Sequence, residues 1–376
     1  MHIVLFCHSL VSCWNHGNAH FLRGVCQELL LRGHSLRVYE PQDSWSRTQM
    51  VAEQGPSALE GFRQAYPRLR SHLYEPASLD LDRALAGADL VLVHEWSDPA
   101  LVKRIGRHRR DHRYRLFFHD THHRSRTDPK AMSAYALEDY DGVLAFGEVI
   151  RELYLAQGWA HRAWTWHEAA DARRFHPVAN LPRAGDLIWI GNWGDEERTA
   201  ELEEFLLKPV ADLHLSARVH GVRYPPEALG RLRACGIDYR GWLPNHAVPR
   251  AFARFGCTVH VPRRPYAQQL PGIPTIRMFE ALACGIPLVT APWNDSEHLF
   301  HPGSDYLVAR DGDEMRQHLR ALKNDPAMAR EMAARGRATV LARHTCAHRV
   351  DQLLAIHRAL SSSAPATTVT HTRSPA

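Results

Sequence analysis

No CxxC pair, no apolar run long enough for a membrane and no large excess of one charge mark this 376-residue chain. The seven cysteines (Cys7, Cys13, Cys26, Cys235, Cys257, Cys284, Cys346) are odd in number and scattered. That argues against a disulfide framework or a cysteine zinc site and fits reduced thiols. Met1–Cys7 has no basic n-region and is too short for a signal peptide or a span, so the expectation is a cytoplasmic, soluble protein. A complete GxGxxG fingerprint and a Walker lysine are also missing. No internal repeat is visible.

What is present is an ordinary globular balance spread over a length that suits two domains of roughly 170 residues each. Net charge is +5 with 26 histidines counted as neutral, a surplus that suits an anionic ligand such as a nucleotide diphosphate. It is also compatible with peripheral contact at the inner, anionic face of a membrane. A nucleic-acid partner is not expected. The basic cluster Lys103–Arg115 contains one aromatic, Tyr114, and reads as a solvated helix end.

Short apolar runs alternate with amphipathic stretches. Strands are expected over 1–8, 35–39, 89–94, 114–119 and 142–146, with a helix over 19–32 stopped by Gly33. The pattern restarts after the proline-bearing stretch 175–185, with strands expected over 186–190, 213–220, 237–241, 258–261, 287–290 and 305–309 and a helix from about Glu196. Continuous apolar strands separated by helices predict parallel, doubly wound α/β sheets. The expected organisation is a Rossmann-like domain over 1–175, a second over 176–345, a helix over 346–360 crossing back to the first, and a disordered tail over 361–376 rich in Ser, Thr, Pro and Ala.

The most informative stretch is Leu270–Val289. A Pro/Gly loop (Gly272, Ile273, Pro274) leads through Thr275 and Ile276 into a short helix carrying Glu280, which Gly285 and Pro287 end before a buried strand. Free N–H groups and the helix dipole at such a start favour a diphosphate. Glu280, about two turns in, has the chemistry to accept both hydroxyls of a ribose. A plain helix–strand unit with a surface glutamate has the same spacing.

The run Pro274–Leu288 resembles the donor-binding signature of GT-B glycosyltransferases with a C-terminal group 1 domain. It is most similar to the spore-coat maturation (CgeB-type) branch, as are His344, Thr345, His348 and Arg349. The resemblance covers about 186–355. It implies two Rossmann-like domains facing a cleft, with a nucleotide-sugar donor on the second and an acceptor (a sugar, lipid, protein or small molecule) on the first. No cofactor is implied. The broad retaining family has a glutamate eight residues before Glu280, thought to contact the donor sugar; here that position is Gly272, and the amides of 272–276 are the expected substitutes.

Further donor residues are expected where strands end. Gly191, Asn192, Trp193 and Gly194 form a glycine turn that lets backbone approach phosphate. Arg263 offers a guanidinium fork for the leaving diphosphate, with Arg264 and Arg223 as lesser candidates. In the first half, Asn15, His16, Gly17 and Asn18 join the first strand to its helix, Asn18 doubling as a candidate N-cap. His94, Glu95 and Trp96 follow another strand and offer an aromatic beside a carboxylate for an acceptor sugar. The resembled family places a histidine facing the donor sugar at the end of the strand carrying His119. His119, neighbouring Asp120 and His16 are therefore the candidate catalytic groups. A metal at His119, Asp120, His122 and His123 is the sharpest rival, since such side chains bind zinc or iron. The DxD triplets at 80–82, 139–141 and 311–313 fall outside a strand-end context. A nucleotide-sugar epimerase and a non-catalytic scaffold of the same fold are the alternative functions.

Overall fold

The computed structural model describes residues 1–362. Seven parallel strands form the first sheet: β1 (His2–Phe6), β2 (Ser35–Pro41), β3 (His72–Tyr74), β4 (Leu90–His94), β5 (Arg115–Asp120), β6 (Gly142–Ala145) and β7 (Ala163–Thr165). Their spatial order is β3-β2-β1-β4-β5-β6-β7. Six more form the second sheet: β8 (Gly185–Ile190), β9 (Ala217–His220), β10 (Asp238–Tyr239), β11 (Phe255–His260), β12 (Leu288–Thr290) and β13 (Leu307–Val308), in the order β10-β9-β8-β11-β12-β13. Central strands such as β4, buried at every position, are covered on both faces by helices, which is why they read as unbroken apolar runs. The edge strands β3 and β7 keep partly exposed residues and carry no such run, so periodicity does not mark them.

Four helices shape the space between the sheets: α1 (Ala19–Leu31), α2 (Glu148–Ala156), α3 (Ile276–Cys284) and α4 (Cys346–Ser362). Gly285 ends α3 in the left-handed conformation at φ 64°. α4 lies on α1, with Arg32 paired to Asp351 at 2.5 Å and the Trp166 indole N–H donating to the Arg349 carbonyl at 2.8 Å. One apolar cluster runs from Phe21 and Trp166 through Phe175 to Ile276, Phe279 and Val350, so the two sheets share a core.

Three local expectations are corrected. Residues 213–216 are not strand. The Leu213 and Leu215 amides donate to the Pro209 and Val210 carbonyls, so these leucines finish the preceding helix, and β9 starts at Ala217. The helix expected from Glu196 begins at Thr199 and passes through a π turn at Glu203–Leu207, because Asp195 and Glu196 adopt positive φ. Residues 361 and 362, expected in a disordered tail, are the last turn of α4, and the other residues of that expectation, 363–376, lie outside the described residues. No helix among the described residues is long and apolar enough to cross a membrane.

Candidate active site between the domains

Strand order reverses between β1 and β4 in one sheet and between β8 and β11 in the other. At such switch points the loops after the strands part and leave a crevice, the usual ligand position in open α/β sheets. The two crevices face each other here and enclose a cavity of about 740 Å³, within the range of small-molecule sites. Its first-domain wall carries His8, Asn15, His16, Gly17, Asn18, Trp45, Trp96, His122 and His123. Its second-domain wall carries Gly191, Asn192, Arg198, Arg263, Thr275, Ile276 and Arg277. The walls are tied directly, Asn192 Nδ2 donating to Asn15 Oδ1.

Three guanidinium groups converge on the second wall. Arg198 donates to the carbonyls of Val261 (2.8 Å) and Asn192 (2.6 Å) and to Asn192 Oδ1 (2.8 Å). These neutral acceptors hold the cation without neutralising it. Burial, with the nearby charges of Arg263 and Arg277 adding, lowers its pKa to about 10. Arg263 pairs with Glu197 at 2.9 Å, and Arg277 pairs with Glu280. Arg263 was legible as an arginine at a strand end. Arg198 and Arg277 carry no such mark, although each lies close to a motif: Arg198 follows the glycine turn and Arg277 opens the helix of the signature.

Helix N-termini add to this field. Thr275 precedes α3 but does not cap it. Its hydroxyl donates to His260 Nε2 at 3.0 Å, the direction being set because His260 Nδ1 must donate to Thr290, whose own hydroxyl donates to Ala291. Thr275 thus does not cap the amides at the start of α3, and the Ile276 amide faces the Glu168 carboxyl instead. α1 begins opposite, close enough that a Cβ on Gly17 would lie 3.3 Å from the Ile276 side chain. Asn18 does not cap α1 either; its amide donates across the cleft floor to Glu168 Oε1 at 2.8 Å.

The signature glutamate sits elsewhere than its chemistry suggests. Glu280 is fully buried. His20 Nε2 accepts the Asp171 amide N–H (2.8 Å), so His20 Nδ1 carries the proton donated to Glu280 Oε1 (2.8 Å). Asn245 donates to the same oxygen at 2.7 Å and Arg277 holds the other. Burial alone would raise this carboxyl, but Arg277, His20 and Asn245 together hold it below the usual range. Both oxygens are engaged inside the fold, and Glu280 joins α3 to α1. Gly272, Ile273 and Pro274 are not on the cavity wall. Gly272, at φ 83°, gives its amide to the Asn294 carbonyl (2.7 Å), and a Cβ there would meet the Glu297 carboxylate at 2.6 Å. Glu297 fills that space and links the domains by accepting from the Glu148 amide (2.8 Å) and pairing with His167 (2.8 Å).

The strand-end groups of the first domain divide. His16 and Trp96 face the cavity. The His16 Nε2–H donates to the Ser9 carbonyl at 3.0 Å, which leaves Nδ1 as a lone pair, and burial lowers this imidazole to about 3. His119 is buried against Phe21 and Trp166 and lowered by burial to about 3. Asp120 is held by the Tyr154 hydroxyl (2.9 Å) and the His122 amide (3.0 Å), and burial raises it to about 6. His94 and Glu95 are buried, joined through Thr121, with Arg124 on Glu95. Trp193 and Gly194 turn away as well: Trp193 packs in the second core, and Gly194 abuts Arg198. Among the described residues the group whose ligand atoms could hold a metal is Asp82, His108 and His112, off the cavity wall.

Glu168, which no motif marks, is on the wall and buried. Burial raises its carboxyl to about 7 against the pull of Asn18, Arg277 and the Ile276 amide.

Residues 198–355 match a family described as glycosyl transferase-like. No curated protein matches the sequence. Among solved structures, sucrose-phosphate synthase from Thermosynechococcus elongatus is similar over 97% of this chain and 100% of its own, at 15% identity and a TM-score of 0.66. An alpha-glucosyltransferase in complex with UDP and a 13-mer DNA is similar over 95% of this chain and 99% of its own, at 13% identity and a TM-score of 0.67. Anabaena HepE in complex with UDP and glucose is similar over 96% and 99%, at 14% identity and a TM-score of 0.66. The fold is GT-B, and residues 198–355 within the second domain are similar to the glycosyl transferase-like family.

Proposed function

We propose that the protein is a glycosyltransferase that moves a sugar from a nucleoside diphosphate donor to an acceptor hydroxyl without a metal ion. The observation that carries this is the convergence of Arg198, Arg263 and Arg277 beside the start of α3, which Thr275 does not cap, inside the interdomain cavity. Guanidinium groups and helix N-termini supply the positive charge that a departing diphosphate needs, which is the service a divalent cation would otherwise perform. Asn192, held between Arg198 and Asn15, fixes the glycine turn against the phosphate position. Both the alpha-glucosyltransferase and HepE carry UDP in their complexes, which makes uridine the first nucleotide to test.

The test is titration with UDP, followed by incubation with a panel of nucleotide sugars in EDTA and measurement of nucleoside diphosphate release. Micromolar UDP binding and donor turnover that survives EDTA are expected. Absence of binding by any nucleotide diphosphate would sink the reading, and turnover abolished by EDTA would sink its metal-independent part.

A further inference from the structure

Three acidic residues line the cavity. Asp195 is paired with Arg223 at 2.8 Å and Glu197 with Arg263 at 2.9 Å. Glu168 has no ion-pair partner among the described residues. It comes from the segment joining the two sheets and lies on the cleft floor between the starts of α1 and α3, receiving the Asn18 side-chain N–H and facing the Ile276 amide. Asn18 Oδ1, on a residue 8% exposed, is buried with no protein partner. A carboxylate and an unsatisfied amide oxygen side by side at the edge of a cavity are two acceptors waiting for one donor, such as a hydroxyl group.

On the donor reading above, the diphosphate charge sits at the start of α3 and the bond to the sugar lies at that same helix terminus, beside Glu168, which gives these acceptors a role. We infer that Glu168 is the general base of the transfer. It takes the proton of the acceptor hydroxyl as that oxygen bonds to the anomeric carbon, and the sugar–diphosphate bond breaks with its electron pair leaving on the nucleoside diphosphate. The displacement is direct and inverts the anomeric centre. This inference rests on the donor reading above.

The charged and titratable groups facing Glu168 are Glu280 and Arg277 from α3 and Tyr266 from the short helix Arg264–Gln269 after β11. Its neighbour His167 points away, onto Glu297. In this setting the carboxyl titrates at about 7, where a base works best at neutral pH. The cavity histidines are all lowered by burial, His8 and His123 to about 4, His16 to about 3 and His122 to about 2, and are far weaker bases.

The experiment compares wild type with Glu168→Gln, which keeps an oxygen for the Asn18 N–H. UDP-glucose, UDP-galactose, UDP-N-acetylglucosamine and GDP-mannose are the donors, and water is the acceptor. The variant is expected to lose about 10²–10⁴-fold in kcat while UDP affinity stays within about threefold. Wild type is expected to show an acid limb in kcat/KM near 7, a higher limb in kcat because the bound diphosphate anion raises the carboxyl further, and an inverted product by NMR. Should the variant not fold, the wild-type pH profile and product anomer carry the test alone. A variant as fast as wild type, a profile without that limb, a retained product, or a wild type that binds UDP without turnover would each overturn the base while leaving the donor site standing. A wild type that binds no nucleotide would remove both.

Discussion

At the scale of single residues, the cleft separates charges buried in the fold from charges that face the cavity. Arg263 is 19% exposed and its ion pair is with the cavity-wall residue Glu197. Replacing it with alanine is expected to weaken UDP binding by about 1.5–3 kcal/mol, the cost of losing a charged hydrogen-bond partner, with little change in melting temperature. Titration calorimetry beside a thermal melt checks both halves. Glu280 is the opposite case. Its carboxylate is buried among Arg277, His20 and Asn245, so Glu280→Ala strands a buried network and is expected to cost about 3–5 kcal/mol of stability. A urea midpoint unchanged from wild type would place that side chain at a solvated ribose site instead.

Secondary-structure elements meet at crossings that admit no extra atom. Gly24, inside α1, faces α4: a Cβ there would lie 2.4 Å from Cys346 Sγ and 2.9 Å from Asp171 Cβ. Glycine-to-alanine inside a helix ordinarily stabilises by roughly 0.5–1 kcal/mol. At Gly24 the overpacking is larger, and Gly24→Ala is expected to destabilise by about 1–3 kcal/mol. Gly230, in the exposed helix Pro226–Ala234, meets nothing within 4 Å, so Gly230→Ala should show the ordinary gain. Opposite signs in paired urea unfolding curves are the outcome sought; two gains would mean that α4 does not press on α1.

For the whole molecule the dominant electrostatic feature is a set of neutral buried histidines. His16, His119, His260 and His344 are lowered to about 3 and His122 to about 2, in each case chiefly by burial. The unfolded chain takes up these protons below about 6.5 while the folded chain refuses them until about 3, so stability is present above 6.5 and is lost as pH falls. Two acids oppose this. Glu168 and Asp120 are raised to about 7 and about 6, so the stability they contribute at low pH is lost as pH rises through those values. Five histidines outweigh two carboxyls, and melting temperature is expected to fall steeply from pH 6.5 to 4. A flat melting profile over that range would mean that the histidines are accessible to protons in the folded state.

By itself, the sequence determined the alternation of buried strands and helices, the two parallel sheets and the loops that carry the chemistry. Those features are written in periodicity over a few residues, which local sterics and burial translate directly into strand and helix. It also marked Arg263, Asn192, Asn15, His16 and Trp96, because strand-end positions point toward a crevice in this architecture, and Thr275 and Ile276, because a Pro/Gly loop opens a helix there. Only the tertiary structure decided which side chains face the cavity. Glu280 turns inward because His20 reaches it from 260 positions away, and Glu168 reaches the cavity floor beside Asn18, 150 positions away. Gly272 is fixed by the Glu297 carboxylate that fills its space. Partners so distant along the chain leave no local period, and burial and charge at such sites follow from how the two domains close on one another.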